Sequence, residues 1–237
     1  MTQKINTEFF FLISLLFLTN CIGEQKNYFP LNDGRVWNYD IKINPGIEEK
    51  INYKKTNYSL KKQFISKSGK KLKIQPIVRE NNNIYYYSED KNGILRQGIQ
   101  LNGSNKINFE DEKKYVLKYP IKKGTEWDSQ SKTFLILRRY AYFDYRATTN
   151  FNLNYKVSSI NEVVKVPAGK FENCIKISGN GNTTFIGDRE IGSIKINIKT
   201  IDWFAPDVGL IKSIRLEETD TELFGTSKMV QVLDDFR

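Results

Sequence analysis

From Trp37 onward, apolar and aromatic residues alternate with polar ones in short runs separated by turn-forming clusters. Period-two alternation puts one set of side chains on one face of an extended chain, so the pattern predicts strands. Val36-Trp37-Asn38-Tyr39-Asp40-Ile41-Lys42-Ile43 alternates cleanly and stops at Asn44-Pro45-Gly46. Residues 71–75 and 84–88 continue the pattern, and Asp90-Lys91-Asn92-Gly93 supplies a hairpin turn through the positive φ that glycine accepts. Residues 94–101 then lead to a second such turn at Asn102-Gly103. Helical spacing with caps is not sustained in any window, and the charged stretch 109–115 allows at most a turn or two of helix.

The second half is more apolar. Residues 133–145 carry Phe134, Leu135, Ile136, Leu137, Tyr140, Tyr142, Phe143 and Tyr145, with Arg138 and Arg139 between them and Arg146 just beyond. This composition suits one long curved strand with apolar surroundings on both faces; aromatics beside arginines are also the ingredients of a stacking platform. Val163-Val164-Lys165-Val166-Pro167-Ala168-Gly169 predicts a hairpin, with Pro167 presetting φ and Gly169 taking the left-handed position. After it, Phe171, Ile175 and Ile177 fall on one strand face by alternation and Cys174 on the other. Asn180-Gly181-Asn182 reads as a further turn, residues 191–204 as a strand, and Ala205-Pro206-Asp207-Val208-Gly209 as the bend into residues 210–216. A last strand covers residues 223–233. The predicted fold is mainly β: an antiparallel, strongly curved sheet or partly open barrel with little helix beyond the first residues.

One phrase occurs twice. Phe29-Pro30-Leu31-Asn32-Asp33-Gly34-Arg35-Val36-Trp37 returns as Tyr119-Pro120-Ile121-Lys122-Lys123-Gly124-Thr125-Glu126-Trp127, with Pro, Gly and Trp in register. Pro30 and Pro120 hold the approach extended, Gly34 and Gly124 permit a turn, and Trp37 and Trp127 supply large apolar anchors. The chain from 29 to 237 reads as a single β domain, with halves 29–118 and 119–237 opened alike.

Composition narrows the chemistry. The 237 residues contain no His, which removes the commonest general base and the commonest metal ligand. Two cysteines, Cys21 and Cys174, make neither a disulfide framework nor a thiolate zinc site. Lys170 and Lys176 near Cys174 would lower its thiol pKa if close in space, but a lone strand Cys more often serves as a small buried hydrophobe. The acidic clusters Glu110-Asp111-Glu112 and Glu217-Glu218-Thr219-Asp220 lack calcium-loop spacing and read as blunting exposed strands. No nucleophile-elbow, zincin, phosphate-loop or dinucleotide fingerprint is present, so no catalytic residue, metal or cofactor is expected. The net charge of +10 would suit anionic surfaces, yet the basic runs are short and scattered, which argues against nucleic acid as a partner.

The start of the chain reads as an address. Residues 1–20 combine Lys4 with the apolar run Phe9-Phe10-Phe11-Leu12-Ile13-Ser14-Leu15-Leu16-Phe17-Leu18, the length of a signal-peptide core and too short for a spanning helix. Leu18-Thr19-Asn20-Cys21 resembles a bacterial lipobox, which implies diacylglycerol on the Cys21 sulfur and cleavage before it. Residues 21–28 are then a lipidated Cys and a short tether. Ile22 in place of an Asp implies, by resemblance to Gram-negative lipoproteins, an outer-membrane address facing the periplasm.

Three phrases carry a wider resemblance: the opener ending at Trp37, Val166-Pro167-Ala168-Gly169-Lys170-Phe171 running to Cys174, and Trp203-Phe204-Ala205-Pro206 running through Gly209 to Lys212. Together they resemble a broad group of uncharacterised bacterial exported proteins and lipoproteins with β domains. That resemblance implies fold and location, and no catalytic residue carries over from it. A looser analogy is to the partly open barrels of lipoprotein carriers of the LolA and LolB type. The expectation is a non-enzymatic envelope lipoprotein, partnered by membrane lipid through its anchor, with a hydrophobic ligand in a β cup. The alternative is a structural or assembly lipoprotein that pairs with another envelope protein.

Overall fold

The computed structural model describes residues 26–139, 141–142, 144–189 and 191–237. The signal segment 1–20, Cys21 and the tether up to residue 25 lie outside the described residues. Alternation becomes burial from the first strand: in β1 (Val36–Pro45), Trp37, Tyr39 and Ile41 are buried while Lys42 is exposed. There follow β2 (Ile51–Ser59), β3 (Gln63–Lys67), β4 (Lys70–Val78), β5 (Ile84–Asp90), β6 (Gly93–Gln100) and β7 (Asn108–Lys118). The second half holds β8 (Glu126–Lys132), β9 (Leu137–Arg139), β10 (Asp144–Arg146), β11 (Asn150–Val166), β12 (Gly169–Ile186), β13 (Ser193–Ala205), β14 (Gly209–Thr219) and β15 (Thr226–Phe236).

One antiparallel sheet runs in the order β7-β6-β5-β4-β2-β1-β15-β14-β13-β12-β11-β8, with β3 beside β4; β9 and β10 form a separate hairpin. The two ends of this order, β7 and β8, are consecutive in the chain, and the Trp127 indole on β8 donates to the Tyr115 carbonyl on β7 at 3.2 Å. The sheet is therefore strongly curved and nearly closed into a barrel. Bulges sharpen the curl: Asn161 and Asn173 sit at φ 63° and 55° where the β11–β12 register shifts. One weakness interrupts the wall. Strands β2 and β4 pair only at Tyr58–Val78 and Ser59–Ile77, and the rest of β2 has no ladder on that side.

Five expectations from the sequence need correction. Residues 109–115 form no helix; they lie in β7, where pairing with β6 and the Arg96–Glu110 ion pair hold them extended. Residues 133–145 are not one long strand, because the amides of Phe134 and Leu135 donate to the Glu217 carboxylate instead of a ladder, folding the segment over the barrel end before the β9–β10 hairpin. Glu217 itself blunts no exposed strand: it is 0% exposed. Asn180-Gly181-Asn182 is no turn, since β12 runs straight through it. Its glycines instead make room for rings: a Cβ at Gly181 would lie 2.8 Å from the Phe151 ring, and one at Gly179 would lie 2.9 Å from Tyr155. The bulge at Asn173 also turns Cys174 inward, so it shares the core with Ile175 and Ile177 and does not lie on the opposite face.

Candidate functional site

The repeated phrase is a scaffold element in both places. In the first copy the Gly34 amide donates to the Ser59 carbonyl at 3.2 Å and the Ser59 amide returns to Arg35 at 2.8 Å. In the second, Gly124 donates to Val157 at 2.8 Å and Val157 returns to Thr125 at 2.9 Å. Each Gly has positive φ, 74° and 93°, and so delivers the chain into a strand whose Trp, three residues on, is buried. Each indole N–H then satisfies a backbone carbonyl, Val208 for Trp37 at 2.7 Å and Tyr115 for Trp127. Pro30 is buried; Pro120 follows a cis peptide bond and is exposed.

The three phrases singled out in the sequence meet in space. The opener clamps the β13–β14 bend: Asp207 N donates to Asn27 O at 2.7 Å and Arg35 donates to Asp207 O at 2.6 Å. Gly209, at φ 97°, is packed so that a Cβ would lie 3.4 Å from Pro30 and 3.9 Å from the Trp37 nitrogen. The Tyr28 hydroxyl reaches Asn173 O at 3.0 Å, beside Cys174. Pro167 and Gly169 make the β11–β12 turn, from which the Ala168 amide donates to Leu233 at 3.1 Å. Burial pushes the Cys174 thiol up to about 11, so the nearby lysines do not activate it. Trp203 lies on the outer face, where its indole donates to Glu162 at 2.7 Å and Lys176 and Lys212 approach its ring. Pro206 is half-buried in the same bend. Cys21 is outside the described residues.

The described ones shape a barrel around a cavity of about 670 Å³. Inward positions of β1 and β2 line it through Tyr39, Ile41, Ile43, Ile51, Tyr53, Lys55 and Asn57. Phe204 on β13, Leu210 on β14 and Met229 on β15 extend the apolar wall, and Phe134, Leu135 and Leu137 close one end. That cap is pinned from beneath by the buried Arg215–Glu217 pair, 2.8 Å apart, while Arg215 also donates to the Lys132 carbonyl. Arg139 N and the Arg138 guanidinium meet Glu48 from the β1–β2 turn.

Apart from Arg146 on β10, polar groups in the cavity fall into two places. One is a register row across the wall, in which Asp202 faces Ser213, Ser213 faces Gln231, Gln231 faces Ile41 and Ile41 faces Tyr53. Burial raises the Asp202 carboxyl to about 6, against the hydrogen bond from Ser213 and the nearby Arg215 charge. The other is where β2 leaves β4. Arg79 donates to the Tyr87 hydroxyl at 2.5 Å and lies 4.5 Å over the Tyr85 ring, and its charge also acts on the buried phenol of Tyr39. A smaller hollow of about 480 Å³, lined by Tyr53, Lys54, Lys55, Thr56 and Asn81, opens on the outside at the same point. Among the described residues no three His, Cys, Asp or Glu side chains gather as metal ligands.

Asp202, Arg79, Lys55 and Asn57 were not identified from sequence. Parity carried a signal for one of them: Ile194, Ile196 and Ile198 point inward, and continuing by twos reaches Thr200 and Asp202. Nothing in the local pattern marks the others, since their placement depends on where a ladder between distant strands ends.

The model of the DUF3108-like family matches residues 146–228, the part of the chain holding the Pro167 hairpin and the Pro206 bend. No curated protein matches the chain. Among solved structures, the chain is similar to a protein from Bacteroides fragilis NCTC 9343 described as exported and with a YmcC-like fold. The identity is 12%, over 90% of this chain and 99% of that one, at a TM-score of 0.45. It is also similar to a protein from Parabacteroides distasonis ATCC 8503 described as a lipoprotein, at 14% identity, over 90% of this chain and 100% of that one, with a TM-score of 0.40.

Proposed function

We propose that this chain is a lipid-anchored protein of the bacterial cell envelope, not an enzyme, and that it holds a hydrophobic ligand inside its barrel. The cavity carries the reading. Its volume of about 670 Å³ falls in the range of about 300–1,000 Å³ usual for small-molecule sites. Its walls are mostly aliphatic and aromatic, with polar groups confined to a few positions, which is the composition that buries an apolar ligand and orients it. The lipobox at Leu18-Thr19-Asn20-Cys21 supports the anchor, and Ile22 supports the outer membrane, facing the periplasm, as the address. Acyl chains on Cys21 would contribute about 0.8 kcal/mol per buried methylene, and the positive net charge favours a body held close to anionic headgroups.

Two measurements test this. Radiolabelled palmitate should enter the wild type and not Cys21→Ala; labelling of the mutant would remove the anchor from the proposal. Organic extraction of purified protein, followed by mass spectrometry, should yield one non-covalent lipid per chain beyond any lipid bound at Cys21. A repeatedly lipid-free protein would remove the ligand. The unpaired length of β2 favours a second reading, an assembly protein that adds a partner strand there. Crosslinking in cells separates the two, because an assembly protein gives one stable protein adduct and a lipid holder gives lipid adducts.

A further inference from the structure

Alternation puts every second side chain of a strand on the outside of the barrel, where facing water calls for polar residues. One stretch of the wall departs from that rule. Asp202 on β13 and Ser213 on β14 face inward and line the cavity, so Ile201, Trp203 and Ile214 beside them face outward. Ile201 and Ile214 are partners across the ladder, and all three side chains are only half-buried. On β11, Ile160 and Val163 are 41% and 59% exposed. Glu162, between them in the chain, accepts the Trp203 indole N–H at 2.7 Å, which joins the two groups into one outer patch. Lys176 and Lys212 flank Trp203 in register, their ammonium groups 5.6 and 5.0 Å from its ring centre.

The patch lies at the end of the barrel where the chain arrives from Cys21. There the Asp207 amide donates to the Asn27 carbonyl, and the Tyr28 hydroxyl donates to the Asn173 carbonyl. Asp207 is four residues from Trp203, about 13 Å of extended chain. Asn173 adjoins Cys174, the register partner of Glu162. Asn27 is six residues on from Cys21, and whatever their path these residues span at most about 22 Å. A lipid on Cys21 would therefore keep the patch within reach of a bilayer surface. Other exposed apolar side chains lie at the far end. Ile186 is 13 residues along β12 from Asn173, about 43 Å away. Phe134 belongs to the cap, held by Glu217, which is eight residues along β14 from Gly209.

The chemistry of the patch suits the boundary between headgroups and acyl chains. Its aliphatic side chains are apolar throughout, its indole has one polar edge, and lysine stems can lie along apolar surface with the ammonium in water. Of the acids alongside, Glu162 is held on the indole nitrogen and Glu172 pairs with Lys170 at 3.0 Å. An anchor also holds the bilayer beside the patch at high effective concentration, so a small apolar area is enough for contact. Resting on the reading of Cys21 as the lipid anchor, we propose that the barrel lies against the bilayer that carries the anchor, through an outer patch of Ile160, Val163, Ile201, Trp203 and Ile214. The place where β2 parts from β4, four strands round the wall from β13, then stays clear of that contact.

Spin labels on the full-length protein test this. Cys174 is buried and Cys21 is blocked by its lipid in this reading, so Val163→Cys and Ile186→Cys each offer one reactive thiol. The labelled variants are reconstituted with vesicles of phosphatidylcholine and phosphatidylglycerol. Collisions of each label with oxygen, which concentrates in the bilayer, are compared with collisions with a water-soluble nickel chelate. The oxygen-to-chelate ratio should be severalfold higher at residue 163 than at residue 186. Equal ratios in protein that floats with the vesicles would overturn the contact and leave the anchor standing. Protein that does not float with the vesicles would overturn both.

Discussion

Asp202 shows what a single half-buried, cavity-lining carboxyl does to this molecule. Its folded pKa of about 6 lies above the value near 4 of an unfolded Asp, because burial outweighs Ser213 and Arg215 while the Tyr155 phenol faces it from β11. Between those two values the folded state holds a proton that the unfolded chain has released. Stability therefore falls as pH rises through that window and levels off above it. Asp202→Asn should remove the fall, leaving the variant no different near pH 4 and more stable at pH 7 by about 2–3 kcal/mol. Urea unfolding at the two pH values checks this; an unchanged or lower stability at pH 7 would mean that Asp202 is charged at no cost. Trp37 is the opposite case, a residue whose role is packing. It is buried, bonded to Val208 and in contact with Gly209, so Trp37→Ala should cost about 3–5 kcal/mol in the same experiment.

At the scale of elements, the cap over residues 133–147 depends on one carboxylate. Glu217 takes the Phe134 and Leu135 amides and the Arg215 guanidinium, all in a buried setting. Glu217→Ala would strand a buried cation and two backbone donors, a change expected to cost about 3–5 kcal/mol. Proteolysis should then cut first within the cap, and uniform cleavage across the chain would contradict a local role. This element also marks where sequence reading ended. Alternation revealed β1, β5, β6, the β11–β12 hairpin and the β13–β14 bend because each side chain's face follows from its neighbours two residues away. The cap was illegible because Glu217 lies 83 residues from Phe134, and no local pattern says that a carboxylate will replace a ladder. Gly181 misled for a related reason: flanking asparagines look like turn chemistry, whereas the space it leaves is filled by Phe151 from the neighbouring strand. The candidate site was legible only as an expectation of a cupped sheet, since its polar corner follows from where β2 and β4 part.

For the whole molecule, the barrel has one firm seam and one weak one. Trp127 bridges β8 to β7, whereas β2 and β4 share two pairs and then diverge. Amides of β2 that point away from β1 over residues 51–57 should exchange with deuterium far faster than those of β13, which is paired on both sides along most of its length. Equal protection would mean that the wall is closed in solution. The clamp at the start of the described chain has a mechanical consequence. Asn27 is tied to Asp207, Tyr28 to Asn173, Arg35 to Asp207 and Trp37 to Val208. A pull at Lys26 thus meets β12 and the β13–β14 bend before it reaches the β1 ladder. The load is shared by several bonds before β1 can peel from its neighbours rung by rung.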